Sequence, residues 1–95
     1  MIERKSILNR ITEASTLTEN GINGVPIIEI AGEKRVLIEN HCGMREYGPD
    51  RISVNVKYGY ITVCGEQLKL LEMTREKLVI HGRISSVSLV RRNNR

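Results

Sequence analysis

The side chains best suited to chemistry lie in one short run, Glu39-Asn40-His41-Cys42, which is followed by Gly43. An imidazole can act as a general base or a metal ligand, and a cysteine thiolate is a nucleophile. Neighbouring residues on a strand point to opposite faces, so His41 and Cys42 could converge only in a turn. The paired Cys-x-x-Cys or His-x-x-x-His spacing typical of zinc sites does not accompany them.

The other soft ligands, Cys64 and His81, are far from this run in the sequence. A site using all of them would need two distant strands to bring ligands to one turn. No acid–base carboxylate pair is recognisable, and no glycine-rich phosphate loop precedes a helix. We therefore predict no catalytic residues, no metal site and no cofactor. We expect Asn40 and Gly43 to serve a turn, and His41 to fix that turn by hydrogen bonding or to contact a partner.

The elements that would position these residues are short strands. From Arg51 to Val90 apolar residues fall on every second position, in segments separated by turn residues. Residues 25–31 and 35–39 are predicted to form a first hairpin, with a short segment at 44–47. The pattern predicts an all-β fold, a small antiparallel sandwich or open barrel. The predicted inward residues are Ile52, Val54, Val56, Ile61, Val63, Leu68, Leu70, Leu78, Ile80, Ile84, Val87 and Leu89.

Two glycines interrupt the strand pattern at similar places, in Ile61-x-Val63-x-Gly65 and Leu78-x-Ile80-x-Gly82. A glycine inside a strand typically marks a bulge or a bend. We expect Gly65 and Gly82 to be corners where strands pass between sheets.

The N-terminal residues 1–17 show helical spacing, with Ile7, Ile11 and Ala14 on one stripe. They predict a short amphipathic helix, which would need a surface to lie on. The stripe, extended by Leu17, could pack on the sheet or on a partner subunit. Alternatively, the helix could dock on another partner or lie on a membrane surface. We divide the chain into helix and linker (1–24), a β domain (25–90) and a basic tail (91–95).

Composition predicts a small aliphatic core, because the 95 residues include no Trp and no Phe. Small cores often gain stability by association, so we expect a homo-oligomer. The two cysteines do not make a disulfide framework, and residues 1–20 lack the apolar core of a signal peptide. No apolar run approaches the length of a membrane span. We therefore expect a cytoplasmic protein without direct membrane insertion.

The net charge of +4 is mainly a tail effect, because Arg91, Arg92 and Arg95 lie in the last five residues. A basic tail can add affinity for phosphates, so a small nucleic-acid-binding regulator is the alternative function. Such a protein would use aromatic platforms for bases. Tyr58 and Tyr60 flank a turn, and we interpret them as a cross-strand or edge contact.

Several stretches together resemble the YabP/YqfC family of sporulation proteins, and its YqfC branch in particular. They are PIIEIAG (26–32), IENHCG (38–43), the Tyr58-Gly59 turn, LVIHG (78–82) and RISSVSL (83–89). The resemblance implies a small all-β domain made during sporulation by spore-forming Firmicutes, in the mother cell. It also implies a role in spore envelope or coat assembly, a membrane-protein partner of the YqfD type, and no established catalytic residues.

The sequence thus predicts a non-enzymatic assembly protein that acts by surface recognition. An exposed strand edge, the 40–43 turn and the N-terminal helix are the expected contact sites, and β-augmentation is a suitable mode. Through a partner, the protein could be held at a membrane. The candidate contact residues are Ile7, Ile11, Leu17, Asn40, His41, Gly43, Tyr58 and Tyr60.

Overall fold

The computed structural model describes residues 24–92, and the regular secondary structure in this range is entirely β-strand. The predicted all-β class is confirmed. The predicted N-terminal helix, with Ile7, Ile11 and Leu17, lies outside the described residues. The strands are β1 (Ile27–Ala31), β2 (Arg35–Glu39), β3 (Met44–Tyr47), β4 (Arg51–Val56), β5 (Gly59–Met73) and β6 (Lys77–Arg91).

These strands form one open antiparallel sheet in the order β1-β2-β6-β5-β4-β3. The expected sandwich or barrel is therefore corrected to a single continuous sheet. The reason is that β5 and β6, 15 residues each, run unbroken through both halves of it. One half pairs β4 with the start of β5, and the other pairs β2 with the start of β6.

The two long strands bend where the glycines were expected to act. The β5–β6 ladder shifts register between Cys64 and Gly65 and at two further points along β5. Gly82 has φ 153°, and a Cβ there would lie 2.8 Å from the carbonyl oxygen of Gln67. Such irregularities bend a strand and increase its twist. Gly65 and Gly82 thus mark bends inside continuous strands.

The core is aliphatic and collects residues from both halves of the sheet into one cluster. Its buried members follow the alternation seen in the sequence, which confirms most of the predicted inward residues. Each fully buried side chain of this size contributes about 1.5–3 kcal/mol relative to exposure. The cluster consists of Val36, Ile38, Ile52, Val54, Val56, Ile61, Val63, Leu68, Leu78 and Ile80.

Two residues differ from the alternation. Leu89 shares the core face with Ile61 and Val63 but is 63% exposed, because it lies on a part of β6 that has a neighbouring strand on one side. Ser53 alternates with the inward residues Ile52 and Val54, so the pattern places it on the opposite, solvent-facing side, yet it is buried. Its hydroxyl lies 3.1 Å from Thr62 Oγ1 and contacts Glu46, so the polar group has partners.

Candidate interaction surface

The connection from β2 to β3, residues 40–43, is held by backbone and side-chain hydrogen bonds. Asn40 has φ 64°, a left-handed conformation that asparagine tolerates better than most residues. Its N–H donates to the Glu76 carbonyl at 2.6 Å, and its Nδ2 donates to the Val25 carbonyl at 2.8 Å. Gly43 also has positive φ, 114°, and a Cβ added there would meet no atom within 4 Å. Both residues thus serve the turn that the sequence predicted.

His41 fixes this turn with both ring nitrogens. Its Nε2 lies 2.7 Å from the Thr74 carbonyl oxygen, and the Gly43 N–H donates to its Nδ1 at 3.1 Å. The two bonds together require a neutral ring with the proton on Nε2. Neither nitrogen is left for a metal ion or for general-base chemistry in this arrangement. Contact between His41 and a partner stays a prediction.

The other soft ligands do not join His41. Cys42 is exposed and its N–H donates to the Asn55 carbonyl at 2.6 Å, whereas Cys64 lies on β5 opposite Ser86. His81 lies on β6 between Arg35 and Lys69 of the neighbouring strands. Within residues 24–92, no three His, Cys, Asp or Glu side chains are grouped closely enough to hold a metal ion.

Tyr58 is the second residue of the two-residue turn that joins β4 to β5. It has φ 71°, and its side chain is 72% exposed. The Lys57 ammonium lies 5.5 Å from its ring centroid. Positive φ at this turn position favours glycine or asparagine, and a bulky residue there is a conformational outlier. Neither burial nor backbone geometry explains a tyrosine at this position.

Tyr60 has a different environment. It lies on the outer face between Asn55 and Val90, and the Arg45 guanidinium sits 4.0 Å from its ring centroid. The ring thus makes a contact with β3 across β4. The two tyrosine rings thus contact different cations, Lys57 at Tyr58 and Arg45 at Tyr60.

Contacts between connections bring most of the candidate residues to one end of the molecule. The Asn40 side chain donates a hydrogen bond to the Val25 carbonyl, and the His41 ring contacts the Thr74 carbonyl at the tip of the β5–β6 hairpin. A Cβ on Gly24 would lie 3.7 Å from Lys57, and the Arg92 N–H donates to the Tyr58 carbonyl at 2.7 Å. We call this surface the Asn40 end, and it comprises residues 24–25, 40–43, 57–58, 74–76 and 92.

The Asn40 end contains Asn40, His41, Gly43 and Tyr58, while Tyr60 lies beside it on β5. The predicted stripe of Ile7, Ile11 and Leu17 lies outside the described residues. The chain enters the described part at Gly24, which belongs to this end.

A cleft lies at the bends of β5 and β6, and no sequence motif predicted it. This cleft of about 600 Å³ is bordered by the β1–β2 turn and the loop before β4. The turn and the loop are each hydrogen-bonded to the bent strands. The Gly82 N–H donates to the Lys34 carbonyl, and the Gly65 N–H donates to the Asp50 carbonyl. Distant segments meet here only after folding. The lining residues are Glu33, Lys34, Pro49, Gln67, Leu68, Lys69, His81, Gly82 and Arg83.

This architecture defines a small β-sheet domain that presents turns at one end. A family model described as the YabP family matches residues 23–95, and the chain therefore belongs to the YabP family. The match does not distinguish the YqfC-like branch. No curated protein and no solved structure matches the chain. Membership indicates a sporulation-related protein.

Across residues 24–92, there is no helix of the length and apolarity needed to cross a membrane.

Proposed function

We propose that this YabP-family protein is a non-enzymatic adaptor that binds another protein through the Asn40 end during spore envelope or coat assembly. The observation that carries the proposal is Tyr58, an exposed aromatic side chain held at positive φ. Backbone outliers at exposed turns are a starting point for a functional hypothesis.

The energetics of Tyr58 favour a role in contact. A non-glycine residue in the left-handed region costs about 1–2 kcal/mol. At 72% exposure, the ring gains little from burial within the chain that would offset this cost. Tyrosine is enriched among the residues that dominate binding energy at protein interfaces. A partner that covers the ring would supply the missing burial.

The surroundings of Tyr58 favour binding because they are already ordered. Asn40 and His41 tie the 40–43 connection to Val25 and to the hairpin tip. Arg92 ties the end of β6 to the Tyr58 carbonyl. A preorganised surface loses less conformational entropy on association. This end of the sheet can therefore act as a rigid platform for a partner.

The partner we propose is a membrane protein of the YqfD type, as the family resemblance implies. The protein would then act in the mother-cell cytoplasm and be held at a membrane through that partner. Deletion of the gene in its own host tests this function through the number of heat-resistant spores. We expect a sharp fall that the wild-type gene restores, whereas an unchanged count would contradict the proposal.

A nucleic-acid-binding regulator is the second candidate, and one observation favours it. Lys57 and Arg92 flank the exposed Tyr58, and a single aromatic ring beside cations suits single-stranded nucleic acid. The double variant Arg91→Gln, Arg95→Gln, which leaves Arg92 of the Asn40 end unchanged, separates the two. An adaptor that uses Tyr58 would still support sporulation. A nucleic-acid binder would lose affinity and show a flatter dependence on salt.

A further inference from the structure

Most edges of the described sheet carry features that oppose pairing with another strand. β1 is short, contains Glu29 and follows Pro26. β3 has four residues, two of them charged, and a register shift between Met44 and Glu46. The outer end of β5 has a register shift between Leu70 and Glu72, with Lys69 nearby. Short length, charge, proline and bulges are the usual protections of an edge strand.

The second half of β6 lacks these protections. Residues 84–90, Ile-Ser-Ser-Val-Ser-Leu-Val, contain no charge and no proline. β2 pairs with β6 only as far as His81, and the last bond on that side is from the Ile84 N–H to the Glu33 carbonyl. Beyond Ile84, the outer side of β6 has no neighbouring strand within residues 24–92. Leu89, on the core face, is correspondingly exposed.

The register shows which backbone groups point to this side. The Arg92 N–H donates to the Tyr58 carbonyl, and Leu89 lies opposite Ile61. In an antiparallel ladder, residues that bond to one neighbour alternate with residues whose N–H and C=O point to the other side. Ser88 and Val90 therefore bond to β5. Val87, Leu89 and Arg91 direct their N–H and C=O groups away from it.

We propose that a second copy of this chain pairs antiparallel with the 85–91 edge of β6, with the two-fold axis at Ser88. Val87 of each copy then lies opposite Leu89 of the other, and both exchange backbone hydrogen bonds. Because both side chains are on the core face, the pairing also covers the exposed part of Leu89. A two-fold interface needs a self-complementary surface, which this uncharged run supplies.

Charge favours this register over the one centred on Val87. Centring the pair on Val87 would place Arg83 directly opposite Arg91, and like charges in that position are destabilising. Centring it on Ser88 places Arg91 opposite Ser85 instead. Arg83 already has a partner in its own chain, because its Nη1 lies 3.3 Å from Glu66 Oε1.

Cysteine cross-linking tests the register. In the full chain with Cys42→Ser and Cys64→Ser, we introduce Ser88→Cys. Ser88 of the two copies would form a non-hydrogen-bonded pair with Cα atoms about 4.5 Å apart, within the range that a disulfide spans. We expect mild oxidation to convert most of the protein to a covalent dimer. The matched control is Ser86→Cys. Its two copies would lie roughly 14 Å apart along the strands, so this variant should form little covalent dimer.

Sedimentation of the unmodified protein tests the association itself. We expect a concentration-dependent dimer, and we expect Leu89→Lys to be monomeric with an unchanged circular dichroism spectrum, because Leu89 is exposed in the single chain. A wild-type protein that is monomeric at all concentrations would overturn the proposal. This result would arise if residues 1–23 of the same chain occupied the edge. Equal cross-linking of Ser86→Cys and Ser88→Cys would overturn the register.

Discussion

At the scale of single residues, Gly82 shows how closely the bent strands approach. Its φ of 153° belongs to a region that is essentially restricted to glycine, and a Cβ would lie 2.9 Å from Leu68 Cα. We predict that Gly82→Ala lowers the free energy of unfolding by about 3 kcal/mol or more, through strain and overpacking together. Urea unfolding of the purified variant measures this loss.

The matched control for Gly82→Ala is Gly32→Ala. Gly32 has φ 59° in the β1–β2 turn, and a Cβ added there would meet nothing within 4 Å. The variant should therefore lose only the cost of a left-handed residue, about 1–2 kcal/mol. If the two variants lose equal free energy of unfolding, the close contact with Leu68 is not the reason that position 82 requires glycine.

His41 provides a second prediction at this scale. Replacing it by alanine removes the bonds to the Thr74 carbonyl and from the Gly43 N–H. We predict a loss of about 1–2 kcal/mol, which lowers the Tm of a domain of this size by roughly 5–15 °C. His81→Ala is the control, since this exposed side chain should change stability by less than about 0.5 kcal/mol. A Tm unchanged in His41→Ala would mean that the ring does not support the turn.

The sequence predicted some of these residue roles and missed others. Asn40 and Gly43 are residue types that tolerate positive φ, so their turn could be recognised locally. Tyr58 carries no such signal, because tyrosine rarely adopts positive φ. The burial of Ser53 depends on Thr62 and Glu46 from neighbouring strands, and no local pattern contains that information.

At the scale of elements, the alternation of apolar residues predicted strand positions well but not their continuity. Gly65 and Gly82 were correctly expected to interrupt regular pairing. The β5–β6 ladder nevertheless continues past both, because a bulge shifts the register without ending the hydrogen bonding. Whether a strand bends within one sheet or crosses to another depends on distant neighbours, so a sandwich could not be distinguished from one bent sheet.

Two leucines of β5 test whether the alternation identifies the core. Leu68 is buried in the cluster, whereas Leu71 follows it at a register shift and is exposed. We predict that Leu68→Ala costs about 2–5 kcal/mol, as expected for a buried leucine. Leu71→Ala should cost less than about 1 kcal/mol. Chemical denaturation compares them, and similar losses would contradict the assignment of the core face.

At the scale of the whole molecule, the sheet has two contrasting ends. The bends carry the charged cleft, whereas the Asn40 end gathers turns from separate parts of the chain. The sequence identified Asn40, His41, Gly43 and Tyr58 one by one. Their proximity follows from the pairing of β2 with β6 and from the position of Gly24 beside Lys57, which one sequence does not reveal.

The most direct test of recognition through the Asn40 end is the heat-resistant spore count of a strain whose only copy carries Tyr58→Asn. Asparagine suits positive φ, so the purified variant should be at least as stable as wild type. Tyr47→Asn, at an exposed tyrosine of β3, is the matched control. We predict that Tyr58→Asn lowers the count as far as deletion of the gene does, while Tyr47→Asn leaves it unchanged. A wild-type count for a folded Tyr58→Asn protein would contradict recognition through this end.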